Sequence, residues 1–410
     1  MERSLTTNPT FFGDVARQME LGPRVEELLR TPRRELRVQV PIERDDGTVV
    51  SFRGFLVQHD SSRGPMKGGV RCTRNLSGAD VGELASLMTW KNALLNLPFG
   101  GSACGIAVEP RLLSLHEWER LIRAFVHRIH DVIGPQRDVY GPDMNTGGQV
   151  MAWMMDEYSK LHGHTPAVVT GKPIELYGTH GHRAAGGRGV ALVTASVLAQ
   201  DGTQLEGTSV AVQGFGQVGR AAALALFQKG AKIVAVSDSR GGIFRADGLH
   251  IPSLIEHKSG TGRVAGFPGA DSLTQSDLLA LDVNVLLPAA TGGVLHRGNA
   301  QDVRARWVIE AANAPVTVEA DAALRERGVT VVPDILANGG GAAVSYLEWV
   351  QNQQQHRWSE ERVLSELDTL LNTAVQTVLE VSRNKQVPLR TAAYMVAVGR
   401  VGRATVLRGL

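Results

Sequence analysis

Residues 209–238 read SVAVQGFGQVGRAAALALFQKGAKIVAVSD, and this stretch limits the fold more than any other. An apolar strand runs into a glycine turn, the turn opens a helix, and a second apolar strand ends in an acid. Gly214, Gly216 and Gly219 fit the GxGxxG spacing. The bare pattern often marks nothing but a turn; the strand before it and the helix after it give it meaning. The first glycine permits the tight turn, the second lets backbone approach a pyrophosphate, and the third brings helix against sheet. The helix N-terminus then faces the phosphates. Asp238 follows Gly219 by 19 residues, close to the roughly 20 expected of an acid that binds the adenosine ribose. That acid favours NAD, whereas Arg240 two residues on suits the extra phosphate of NADP, so NAD or NADP is expected, with NAD favoured.

The rest of the second half continues the alternation. Apolar runs at 283–289, 306–312 and 329–333 are separated by helical segments, which predicts a parallel, doubly wound Rossmann-like sheet. Residues 340–354, 359–383 and 388–408 read as closing helices. The first half differs. A helix is predicted over 11–30, then a hairpin of strands at 35–43 and 49–58 joined by Asp45-Asp46-Gly47. A loop, SSRGPMKGGVRC, leads into a short strand. Helices at 78–96, 115–133 and 147–161 are interleaved with strands near 103–108 and in DVYGP. This half is α/β with a mixed sheet. A chain of 410 residues is too long for one compact core. The expected division is a substrate-binding and oligomerisation domain at 1–180 and a dinucleotide-binding domain at 181–384, with the C-terminal helix at about 385–410 returning to the first.

Composition excludes several classes. Hydrophobic residues at 43% and charged residues at 20% describe a globular chain, not a disordered one. A net charge of +2, with no basic run interleaved with aromatics, makes no case for nucleic acid. No apolar run approaches the roughly 20 residues of a membrane helix, and the N-terminal MERSLTTNPTFFGDVARQME lacks the apolar region of a signal peptide. Two cysteines, Cys72 and Cys104, form no disulfide framework, which points to the cytoplasm.

Basic side chains are mostly arginine; lysine occurs at eight positions. A lysine placed in a glycine-rich segment therefore marks a place where an ammonium was wanted. Lys67 lies in SRGPMKGG, where backbone and ammonium together make an anion pocket. Lys91 lies on the predicted helix 78–96 beside the apolar Leu84, Leu87, Met88 and Leu95. A lysine there is costly unless it meets an anion. Two such lysines without a phosphate motif between them suggest a small dicarboxylate.

The motifs GPMKGGVR, LMTWKNAL, PFGG, GPDMNT, VTGKPIELYG, GFGQVG, PDILANGGG and SYLEWVQN stand in an order that resembles the glutamate/leucine/phenylalanine/valine dehydrogenases, and within them the hexameric glutamate dehydrogenases. The resemblance implies that Lys67 binds the side-chain carboxylate of glutamate with help from Ser345. It implies that Lys91 holds the α-carboxylate and that Asp143 shuttles protons during imine formation. Asn313 resembles the asparagine lining the nicotinamide site. A cation and a hydroxyl at the end of the side-chain pocket would reject leucine, phenylalanine or valine, since a buried unpaired lysine goes uncompensated.

One position breaks the pattern. The family turn usually reads PFGGAKGG, and this chain reads PFGGSACG, so the family's catalytic lysine falls on Ala103. Losing a positioned acid–base group costs on the order of 10² to 10⁴ in rate. Ser102 and Cys104 flank the position but point to the opposite face of the strand. Gly186 replaces a family threonine, Ala342 stands where valine is frequent, and TGGVLHRG after Ala290 departs from the usual pattern. Three readings follow from the resemblance. The first is a catalytically impaired glutamate dehydrogenase homologue acting as a regulatory subunit with an active paralogue in a homo- or hetero-hexamer. The second is an active NAD(P)-dependent glutamate dehydrogenase, and the third a non-enzymatic amino-acid or nucleotide sensor.

Overall fold

A computed structural model of the chain describes residues 11–409. The N-terminal segment read above for targeting signals lies, up to residue 10, outside the described residues. Two helices, α1 (Phe11–Gln18) and α2 (Pro23–Arg30), stand where one continuous helix is predicted. The break has a backbone cause: Glu20 takes a left-handed φ of 50°, and Pro23 begins a new helix after Gly22.

The first sheet is built from β1 (Arg34–Glu43), β2 (Val49–Asp60), β3 (Met66–Thr73), β4 (Gly101–Ala107) and β5 (Asp138–Pro142), in the order β1-β2-β4-β3-β5. The hairpin β1–β2 is antiparallel, as is β2–β4, while β3 runs parallel to both β4 and β5. Helix α3 (Gly78–Leu94) begins with a capping box between Ser77 and Asp80 and covers one face. Helices α4 (Leu115–Ile129) and α5 (Gly148–His162) cover the other. Strand alternation sorts the side chains between these layers. Val70, Cys104 and Ile106 pack with Leu121, Phe125 and Met151 of α4 and α5. Ala103 packs on the α3 side, with Val57, Val81 and Ala85.

The second half opens with α6 (His182–Gln200). There follow β6 (Ser209–Gln213), α7 (Gln217–Gln228), β7 (Lys232–Asp238), β8 (Gly241–Phe244), α8 (Ile251–Thr261), β9 (Asp271–Leu273), α9 (Gln275–Leu279), β10 (Val285–Pro288), β11 (Trp307–Ile309), α10 (Val318–Glu326) and β12 (Thr330–Val332). The strands form one sheet in the order β12-β11-β10-β6-β7-β8-β9. Its five strands from β12 to β7 are parallel, as predicted. The last two, β8 and β9, turn back antiparallel at the edge. They are four and three residues long, too short to carry a readable alternation.

Four helices close the chain: α11 (Asp334–Ala337), α12 (Gly340–Gln353), α13 (Glu360–Lys385) and α14 (Leu389–Leu407). Helix α14 touches both sheets' surroundings. Near its end, Arg400 donates to the carbonyls of Ala93 and Leu94 at 2.9 and 2.7 Å, satisfying two orphan acceptors at the C-terminus of α3. At its start, Arg390 makes a two-pronged pair with Glu310 at 2.9 and 2.8 Å and a third bond to Asp321 at 2.7 Å. Burial pushes Glu310 up to about 7 against the pull of that guanidinium. Among the described residues no helix is long and apolar enough to cross a membrane.

The Arg390–Glu310 pair gives a stability test. Arg390→Leu leaves a buried carboxylate without its partner and is expected to cost about 3–5 kcal/mol, read from denaturant unfolding at neutral pH. Adding Glu310→Gln should recover part of that loss, because the stranded charge is gone.

Candidate active site

Lys67 sits in strand β3, paired with Val139 of β5, and not in the loop predicted for it. The glycine-rich segment folds as strand because Gly68 lets β3 lie directly on β4: a Cβ there would fall 1.8 Å from the Ser102 carbonyl. The Lys67 side chain is only 3% exposed, and its ammonium donates to the neighbouring Gly68 carbonyl at 3.1 Å. Burial lowers its pKa to about 8, opposed by the charges of Glu348 and Asp138. A Cβ on Gly141 would stand 3.0 Å from Lys67 Nζ, 2.9 Å from Thr170 Oγ1 and 3.8 Å from Ser345 Oγ. Lys67 and Ser345, 278 residues apart in the chain, thus converge on one space that the absent side chain of Gly141 keeps open. Ser345, on α12, is also 3.4 Å from Nε2 of His182.

A ring of buried charge surrounds this space. Lys172 pairs with Glu348 at 2.7 Å, both side chains fully buried. Glu348 also accepts the Gly171 N–H at 2.9 Å and so fastens the 170–179 segment to α12. On the far side of β3, Asp138 accepts from Tyr140 at 2.7 Å, from Gln58 at 3.0 Å and from Ser102. Burial raises Asp138 to about 6 against those three hydrogen bonds. Lys172 and Glu348 lie within the motifs VTGKPIELYG and SYLEWVQN. The scarcity of lysine, the signal used for Lys67 and Lys91, applies equally to Lys172.

Lys91, on α3, reaches across to the second half of the chain. Its ammonium donates to Asn313 Oδ1 at 3.0 Å, and Asn338 Nδ2 donates to the same oxygen at 3.0 Å. Burial lowers the Lys91 pKa, while Asp334 and Asp143 work in the other direction. Asp143 follows β5 and is not a lone carboxylate. Arg71 binds it through two bonds, Nε to Oδ2 at 3.2 Å and Nη2 to Oδ1 at 3.0 Å. Arg71 lies within the quoted GPMKGGVR motif, and its pairing was not read from sequence. Lys67 thus meets Ser345 over Gly141, Lys91 meets Asn313 across the two halves of the chain, and Asp143 lies within electrostatic reach of Lys91.

Ala103 is opposite Val57 in the β2–β4 register and 1% exposed, its methyl packed against Phe55, Val57, Leu76, Val81 and Ala85. Ser102 and Cys104 point to the other face, Ser102 toward Asp138 and Cys104 into the α4–α5 core. Gly186 has room: a Cβ there would meet nothing nearer than Val218 Cγ2 at 3.6 Å.

The glycine turn fits a dinucleotide. Gly214 has φ of 98°, where an L side chain is strained. A Cβ on Gly219 would fall 1.9 Å from the Gly214 carbonyl, which explains that glycine by helix packing alone. Gly216 is different: a Cβ there would meet nothing within 4 Å. Its missing side chain leaves open space at the N-terminus of α7, where a pyrophosphate would approach. Beside the turn, Gln213 Oε1 is buried without a partner. Asp238, at the end of β7, accepts the N–H groups of Arg240 and Val264 at 2.9 Å each and the ammonium of Lys258 at 2.9 Å. Burial disfavours its charge, but the Lys258 bond, the two N–H donors and the Lys258 charge together hold its pKa below the ordinary value.

A mixed sheet carrying buried lysines, facing a second sheet with a dinucleotide turn, defines a two-domain α/β protein of the dinucleotide-binding class. The chain belongs to the Glutamate/Leucine/Phenylalanine/Valine dehydrogenase family: residues 178–409 match the model of that name, and residues 32–160 match the family's dimerisation domain. It is 46% identical over 401 residues to a glutamate dehydrogenase of Thermotoga maritima, spanning 97% of this chain and 96% of that one. The hetero-hexameric glutamate dehydrogenase of Thermus thermophilus, solved in a leucine-bound form, superposes with a TM-score of 0.94 at 38% identity over 100% of both chains. Glutamate dehydrogenase from Peptoniphilus asaccharolyticus superposes with a TM-score of 0.85 at 35% identity, over 97% of this chain and 98% of that one.

The Lys67 environment makes a pH prediction. Only the ammonium form captures a carboxylate, and its pKa is about 8 before anything binds. Affinity for 2-oxoglutarate, measured by calorimetry, should be level below that pH and fall by roughly tenfold per unit above it. Folding penalises the same ammonium, fully below about 8 and progressively less as pH climbs toward the ordinary 10.5. Lys67→Met should therefore abolish binding and yet raise the melting temperature of the ligand-free protein at pH 7.

Proposed function

We propose that this chain is a glutamate dehydrogenase homologue that retains the substrate and NAD(P) sites, is impaired in chemistry, and works as a regulatory subunit beside an active paralogue in a hexamer. The family reaction takes L-glutamate, NAD(P)⁺ and water to 2-oxoglutarate, ammonium, NAD(P)H and a proton. In this reading Lys67 and Ser345 hold the side-chain carboxylate, Lys91 holds the α-carboxylate, Asp143 moves protons, and Asn313 borders the nicotinamide. NAD(P), when bound at Gly214, Gly216, Gly219 and Asp238, supplies the hydride acceptor.

The observation that carries the proposal is Ala103. The family lysine at this position activates water against the iminium carbon and stabilises the carbinolamine. A buried methyl among Phe55, Val57, Leu76, Val81 and Ala85 does neither. No neighbour replaces it: Ser102 and Cys104 face away, Lys91 is bonded to Asn313, and Arg71 is bonded to Asp143. The hetero-hexamer of the Thermus thermophilus relative supports an assembly of unlike subunits.

A second reading, an active glutamate dehydrogenase, is supported by the 46% identity to the Thermotoga maritima enzyme and by the intact Lys67, Lys91, Asp143 and Ser345. The two readings differ in turnover. The purified chain should bind 2-oxoglutarate and show little glutamate-dependent NAD(P)H formation alone. Ala103→Lys, whose four-carbon stem is long enough to carry an ammonium out of the apolar cluster, should raise turnover by about 10² to 10⁴. Wild-type turnover equal to that of Ala103→Lys would reject the impaired reading in favour of the second. If instead both turn over negligibly while the folded Ala103→Lys variant still binds substrate, Ala103 is not the main defect.

A further inference from the structure

Away from the cleft, two imidazoles meet where α4 and α5 end side by side. His130 caps the C-terminus of α4, and His162 is the last residue of α5. Nδ1 of His130 lies 3.1 Å from Nε2 of His162. The His162 ring also stacks on Tyr158, one turn earlier in α5, with ring centres 4.3 Å apart and planes 21° from parallel. Tyr158 is itself buried, so it sets the plane in which the His162 nitrogens lie. Neither imidazole takes part in the substrate or dinucleotide regions described above.

Two features of this place favour a cation. The helices end together, so the negative ends of two macrodipoles converge on the same pair of rings. The span between the nitrogens is also that of two neighbouring ligands on one ion. Metal–nitrogen bonds of about 2.1 Å put adjacent nitrogens about 3.0 Å apart at a right angle and about 3.4 Å apart in a tetrahedron. A hydrogen bond between two imidazoles uses the N–H of one and the lone pair of the other, whereas an ion in place of that proton uses both lone pairs. Among the described residues no set of three His, Cys, Asp or Glu side chains converges to hold an ion, so an ion on this pair keeps water in its other positions. Two imidazoles and water suit Cu²⁺, Ni²⁺ or Zn²⁺; Mg²⁺ and Ca²⁺ take oxygen ligands. The two rings come from different helices, so an ion held by both ties α4 to α5. These helices flank β5 in the chain, the strand that carries Gly141 beside Lys67 and Ser345.

We propose that His130 and His162 form a two-imidazole chelate for a divalent late transition-metal ion, a clip between α4 and α5 that is distinct from the dehydrogenase cleft. The test is calorimetric titration of the full chain with Ni²⁺ at neutral pH, with Mg²⁺ as the comparison ion. Two variants accompany wild type: His130→Gln, and His162→Phe, which keeps an aromatic ring on Tyr158 and removes both nitrogens. Wild type should take up Ni²⁺ and not Mg²⁺. Each variant should bind Ni²⁺ roughly tenfold or more weakly, because the second ligand of a chelate acts at high effective concentration. Ni²⁺ should also raise the melting temperature of wild type and not of the variants, since the ion binds only where both helix ends are in place. A wild type that takes up no Ni²⁺, or takes it up with no rise in melting temperature, overturns the proposal. So does an affinity for Ni²⁺ that survives unchanged in either variant, which would assign the uptake to other surface imidazoles and leave His130 and His162 as a hydrogen bond between two helix ends.

Discussion

The constraint on which the substrate region depends is the cost of burying ammonium groups. Lys67, Lys91 and Lys172 are all removed from water between the two sheets. A buried cation is tolerated only where something negative or strongly dipolar meets it. Lys172 has a full partner in Glu348, and Lys91 has the amide oxygen of Asn313. Lys67 has a single carbonyl and the more distant fields of Glu348 and Asp138. Of the three it is the least compensated, and it points at the space over Gly141 that Ser345 also faces. The fold supplies the framework for this arrangement: β3 presents Lys67, α12 presents Ser345 and Glu348, and Glu348 pins the segment that carries Lys172.

The same arrangement couples the two halves of the chain. Lys91 on α3 meets Asn313 beyond β11, Arg400 on α14 caps α3, and Arg390 at the other end of α14 holds Glu310 just after β11. Three polar links thus join α3, α14 and the second sheet. Movement of one half against the other must either break the Lys91–Asn313 bond or carry Asn338 with it, since Asn338 holds the same oxygen. The Lys91 ammonium has three N–H donors and gives one to Asn313, so a carboxylate bound to the others would share the cation with the second half of the chain.

Much of this was legible from residue types and spacing. The helix 78–96 carries a readable cap in Ser77 and Asp80, the hairpin carries Asp45-Asp46-Gly47, and the turn at Gly214 is announced by the strands around it. Lys67 and Lys91 stand out because lysine is scarce. What stayed hidden has two physical causes. Short elements lack periodicity, so β8 and β9 went unseen, and a φ of 50° at Glu20 left no trace before Pro23 split the first helix. Pairings between distant residues also leave no local signal. Arg71 with Asp143, Lys172 with Glu348, and Lys258 with Asp238 are separated by 72, 176 and 20 residues. The first and the last change the meaning of an acid, Asp143 or Asp238, that the sequence offered as a solitary charge.

Ala103 acquires its weight from that surrounding order. Had the cleft lost its function altogether, the costly groups would be the first for which replacement is favourable: removing a desolvated ammonium and its partners raises stability unless the charge meets a ligand. Here Lys67, Lys91 and Lys172 persist with their supports, the space over Gly141 is open, and Gly216 leaves room at the turn. Ala103, by contrast, carries a methyl that is well packed beneath α3. If the chain is the impaired subunit proposed above, a costly set of buried ammonium groups beside a well-packed methyl is the arrangement expected when occupancy itself is what matters. In that reading, a ligand held by Lys91 would be felt at the second sheet through Asn313 without any turnover.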